Sequence, residues 1–122
     1  MNKEFVSYEQ ALALKELGFD EPCFGGFGDN EKLYIQRVSF QSDIERFCLT
    51  PTYSQAFRWF RNTHGLYTDI FVDDNKTFGF MISYFVTEGR VDKPIIRCYT
   101  TYEEAEQACL DKLIEIVKNG NT

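Results

Sequence analysis

The stretch SQAFRWFRNTHGL, residues 54–66, gathers the only tryptophan and the only histidine of the chain, Trp59 and His64, with two arginines, Arg58 and Arg61. Cations among aromatic rings suit a surface that grips phosphates and stacks on bases. A histidine is suited to proton transfer near neutral pH. Arg58, Trp59, Arg61 and His64 therefore form the candidate interaction patch. The same stretch also reads as an amphipathic helix. Tyr53, Ala56, Phe57 and Phe60 recur every three or four residues and mark a core-facing stripe. Trp59 falls at the border of that stripe, and Arg58 and Arg61 point away from it. His64 lands in the last turn, where the helix dipole and free carbonyls favour a protonated imidazole. Catalysis would need a carboxylate or nucleophile beside it, and the sequence places none there. No catalytic residue is assigned.

Two carboxylate clusters are the next candidates. Asp73 and Asp74 stand in a DDNK turn, and Glu103, Glu104 and Glu106 stand in the first turns of a helix, where negative charge is stabilising. Neither has the spacing of a calcium loop, so no metal is expected. The four cysteines, Cys23, Cys48, Cys98 and Cys109, are far apart in sequence. They form no C-x-x-C motif and are expected to be free thiols. Gly25, Gly26 and Gly28 lack the spacing of a phosphate-binding loop and read as turn glycines. No cofactor is expected, and no constellation argues for an enzyme.

The elements that must position these residues are marked by their ends. Ser7 with Gln10 is a capping-box pattern. Ala11, Leu14 and Leu17, supported by Leu12, then make an apolar stripe. Gly18 offers the left-handed stop, and Phe19 can fold back on Leu14. This predicts a helix over residues 8–17. A hairpin follows, turning at Gly28, Asp29 and Asn30, with Leu33 and Ile35 in strand alternation. The segment 39–49 reads equally as strand or loop. Thr50 as cap, Pro51 as first residue and Gly65 as stop bound the second helix. From Tyr67 to Tyr99 the period is two. Thr68, Ile70 and Val72 share a face, as do Phe78, Phe80, Ile82, Tyr84 and Val86, and Pro94 in the third strand implies an edge or an interrupted ladder. Thr101 and Glu104 make a second capping box. The last helix, ending near Lys118, is expected to bury Tyr102, Ala105, Cys109, Leu113 and Ile116, with Leu110, Ile114 and Val117 beside them.

The order α-β-β-α-β-β-β-α predicts an α+β fold, one domain over residues 1–122, with an antiparallel sheet of about five strands and three helices. At 122 residues, 43% hydrophobic and 16% aromatic, the chain can fill one core. A net charge of −6 repels phosphate on average, which disfavours nucleic acid and anionic membranes as partners. No run approaches ~20 apolar residues, and no secretory leader is read at the N-terminus. A cytoplasmic setting is expected.

Residues 51–118, read as α-β-β-β-α, resemble double-stranded RNA-binding domains in topology. That family places lysines at the start of its final helix, where Glu103, Glu104 and Glu106 stand here. The phrases YEQALALKELGFDEPCFG, YSQAFRWFR and YEEAEQACLDKLIEIVKN resemble a set of small uncharacterised proteins encoded by phages and prophages of Bacteroidales. That resemblance implies an intracellular, phage-linked setting and no particular chemistry. The expected function is a small non-enzymatic module with a protein partner. The alternative is nucleic-acid binding by the helix that carries Arg58, Trp59 and Arg61.

Overall fold

The computed structural model describes residues 2–28, 30–38 and 48–120. Asp29 of the expected first turn and residues 39–47 of the ambiguous segment lie outside the described residues. The fold is α+β. Among the described residues there are three α-helices and six strands, and the strands form two three-stranded antiparallel sheets. The expected single sheet of about five strands is thus corrected. The additional strand lies at the end of the ambiguous segment. The chain divides into two compact units, Met1–Ala56 and Phe57–Thr122.

The first unit opens with a short 3-10 turn, Asn2–Glu4, and helix α1, Tyr8–Glu16. The capping box is complete. The Ser7 hydroxyl accepts from the Gln10 N–H, and the Ser7 N–H donates to Gln10 Oε1, both at 3.1 Å. At the other end Gly18 takes φ 98°, its N–H reaches Lys15, and the Phe19 N–H donates to the Leu14 carbonyl at 3.0 Å. This pair of bonds satisfies carbonyls that the helix leaves open, and it seats buried Phe19 by buried Leu14. Leu12 is exposed, so it does not extend the stripe. Gln10 is buried instead. Its Oε1 also accepts from the Tyr53 hydroxyl at 2.9 Å, so one side chain serves the cap and the core.

Strands β1, Cys23–Phe27, and β2, Leu33–Val38, make the expected hairpin, and β3, Cys48–Thr50, pairs on the other side of β1. Gly25 and Gly26 are not turn residues. They lie buried inside β1. A methyl group on Gly25 would meet the Thr50 carbonyl oxygen at 2.7 Å and the Phe5 ring at 2.8 Å, so only glycine lets ring and neighbouring strand approach. Ile35 of the alternating pair in β2 is half exposed.

Helix α2 spans Tyr53–His64, and the boundary between the units falls within it. Thr52 rather than Thr50 caps it. The Gln55 N–H donates to Thr52 Oγ1, and Thr50 belongs to β3. Gly65 ends the helix at φ 66°.

The second unit contains β4, Tyr67–Val72, β5, Phe78–Val86, β6, Gly89–Tyr99, and α3, Tyr102–Lys118. The sheet order is β4-β5-β6. Its inner face carries buried Phe80 and Ile82, and α3 packs on that face through Ala105, Cys109, Leu110, Leu113 and Ile114. The Phe78 ring meets Tyr102 edge-on, and Phe80 stacks on Tyr99. Tyr102 is exposed and Ile116 half-buried, so the buried stripe of α3 is narrower than expected. Pro94 lies on an edge strand where the ladder also slips. Met81 and Ser83 face Ile95 and Asp92, which leaves one extra residue in β6. Thr101 and Glu104 form the second complete capping box. Thr101→Ala should therefore cost about 1 kcal/mol in urea unfolding, while exposed Glu115→Ala should change stability by less than about 0.5 kcal/mol.

Candidate functional site

The expected patch is divided by depth. Arg58 and Arg61 are exposed on α2. Trp59 is 6% exposed and belongs to the core, while Phe57, expected deep in the core, is only half-buried. The buried stripe of the helix is thus Tyr53, Ala56, Trp59 and Phe60. The wheel was turned by a fraction of a residue, because a border ring as large as tryptophan has most to gain from burial.

His64 is held by these rings. Trp59 meets it edge-on with centroids 5.1 Å apart, and Phe60 lies tilted at 5.8 Å. Its Nε2 is buried with no hydrogen-bond partner among the described residues. Burial therefore pushes the imidazole pKa below its ordinary value, and the neutral ring is favoured. This corrects the expectation of a protonated helix-end histidine. Desolvation against two rings outweighs the partly exposed carbonyls of the last turn. A folded pKa below the unfolded value of about 6.5 means the unfolded chain binds the proton more readily. Stability is full above that value and declines as pH falls from it through the folded pKa. Urea midpoints at pH 7.5 and 5.5 should show this loss, and His64→Leu should shrink the difference between them.

The carboxylate clusters are occupied by local structure. The Asp73 carboxylate accepts from the Thr77 hydroxyl and from the Asn75 and Thr77 N–H groups, so it locks the β4–β5 turn. The Thr77 hydroxyl is the main cause holding its pKa low. Glu104 accepts from Thr100 and Thr101, which lowers its pKa in the same way. All four cysteines are free. Burial raises the thiol pKa of Cys23, Cys48 and Cys109, which leaves them poor nucleophiles at neutral pH.

A second surface lies outside the expected patch. The outer face of β4-β5-β6, opposite α3, carries Tyr67, Asp69 and Phe71 from β4. Met81 and Phe85 come from β5, and Arg90, Asp92 and Ile95 from β6. Tyr67 and Phe85 meet edge-on at 5.8 Å, and Phe85 is 66% exposed. The Arg97 guanidinium lies 5.7 Å from the Phe71 ring centre, and Arg90 pairs with Asp92 at 3.0 Å. Its signal in the sequence is alternation, since Met81 and Phe85 stand between the residues that share the other face of β5. Alternation identifies two faces without saying which is covered. No described helix is long and apolar enough to cross a membrane. Comparison of the chain with family models, curated proteins and solved structures finds no match.

Proposed function

We propose that the protein is a small non-enzymatic interaction module whose partner is a protein, and that the outer face of the second sheet makes the contact. The observation that carries this reading is the exposure of Tyr67, Phe85 and Ile95 together on one sheet face. Aromatic side chains gathered in the open are the residue types enriched at protein interfaces. The Arg90–Asp92 pair and Arg97 supply a polar surround of both signs. The net charge of −6 supports a protein over a phosphate backbone. The phage-linked resemblance and the four free thiols fit a host or phage partner met in a reducing cytoplasm.

Affinity capture from the source cell tests the reading. The intact protein should retain a discrete set of proteins, and the double variant Tyr67→Glu with Phe85→Glu should lose them while keeping its circular dichroism spectrum. Identical capture by both proteins would remove the outer face from consideration. The second reading is nucleic-acid binding, favoured by the exposure of Arg58 and Arg61 on one helix. It loses its aromatic partner, because Trp59 is buried. Gel-shift titrations at about 150 mM salt should give no sub-micromolar shift with duplex RNA or DNA. A tight shift weakened by Arg58→Glu would favour this second reading.

A further inference from the structure

The two edges of the second sheet are built differently. β6 carries the devices that keep an edge from pairing: Pro94 without an N–H, Lys93 beside it, and two register shifts against β5. β4 has none of them. Its sequence YTDIFV pairs residue by residue with β5 from Tyr67·Ser83 to Val72·Phe78 without a bulge. The turn fixes which backbone groups point outward. The Asp73 N–H donates to the Thr77 carbonyl at 2.9 Å, so that pair is hydrogen-bonded. Alternation then directs the N–H and C=O of Val72, Ile70 and Thr68 away from β5. Among the described residues no backbone group of another segment pairs with them. Val72 at this edge is 61% exposed, and Tyr67 is exposed as well.

The surroundings are acidic. Asp69 is exposed on β4, Asp73 and Asp74 follow it, and Glu103 and Glu106 lie on α3, which packs over β4. Burial, and then the charges of Glu106, Asp69 and Glu103, push the Tyr102 hydroxyl pKa up, so these groups share one neighbourhood. The facing cations are Lys76 in the turn and Arg97 over Phe71.

We infer that the outer edge of β4 takes up an extended, lysine- or arginine-bearing segment of a partner protein as an added strand. The inference rests on the interaction-module reading and names the form of the partner. Main-chain bonds to Thr68, Ile70 and Val72 would supply affinity. Alternate side chains would lie beside Ile70 and Val72 on one face and beside Asp69 on the other. A second copy of this chain is the poorer occupant. It would bring a charge of −6 and its own Asp69, Glu103 and Glu106 against the same acidic edge.

The probe is a capped hexapeptide of alternating valine and lysine, with a valine–glutamate peptide for comparison. Adding the lysine peptide to isotope-labelled protein should shift the Thr68, Ile70 and Val72 amide signals and slow their hydrogen exchange. The glutamate peptide should bind at least about tenfold more weakly, and Asp69→Lys should reverse that order. N-methylating the lysine peptide at its alternate, strand-facing amides should weaken it about tenfold or more with the protein untouched. Undiminished binding of the methylated peptide, or shifts confined to other surfaces, would overturn the inference. So would protection of the same amides that rises with protein concentration alone, which would assign the edge to a second copy. No response to the peptide beside a successful capture experiment removes the edge and leaves the module reading standing.

Discussion

Replacing Gly79 with alanine is expected to cost about 3 kcal/mol of stability, a large effect for one methyl group. The reason is room, not backbone conformation. A Cβ at Gly79 would run into the carbonyl oxygen of Ile96 and stand 3.0 Å from the Arg97 Cα and the Phe71 ring. Ile96 and Arg97 are backbone neighbours brought close by a bulge. Phe78 and Phe80 of β5 face Tyr99 and Ile96, so β6 spends one residue more over the same interval. Backbone cannot rotate aside as a side chain can, so β6 must move away and the ladder opens. Gly18→Ala is the useful comparison. It meets open space and is penalised only by its φ of 98°, for about 1 kcal/mol. Urea unfolding of both variants should give a ratio near three. Equal small losses would show that β6 yields easily.

Phe60→Ala should cost about 3–5 kcal/mol, because its ring is fully buried and its removal leaves a cavity lined by Trp59 and His64. Phe57→Ala should cost distinctly less, about 1–2 kcal/mol, since that ring is only half removed from water. The sequence alone ranks Phe57 with Phe60. Arg58→Ala should stay within about 0.5 kcal/mol. The order Phe60, Phe57, Arg58 in denaturant midpoints checks the orientation of α2, and a reversal of the first two would show the helix turned the other way.

The candidate site was legible only in its parts. Arg58, Trp59, Arg61 and His64 are visible as residue types, and their helix is visible as a period, yet Trp59 is buried and His64 half-buried while both arginines are exposed. Helical spacing resolves a face to within about one residue either side, which decides little for a ring at the border. Alternation separates the two faces of the second sheet, but the sequence does not mark which face is open, nor that β4 is an edge with no partner strand among the described residues. Exposure depends on which face α3 covers, and edge status depends on strand order.

Features whose causes lie within a few residues can be read directly from the chain. Both capping boxes, at Ser7 with Gln10 and at Thr101 with Glu104, join a cap to a residue three positions on. The Gly18 stop, the Gly65 stop and the Asp73 turn are equally local, and so were found where expected. Packing settles how strands are shared between two sheets, that Gly25 and Gly79 admit a neighbour's backbone, that Thr50 pairs in β3 while Thr52 caps, and that Gln10 is buried against Tyr53. Those outcomes rest on contacts between residues tens of positions apart. A period of two states that a strand has two faces. Which partner lies beside it, and what covers each face, is set by the packing of the whole unit.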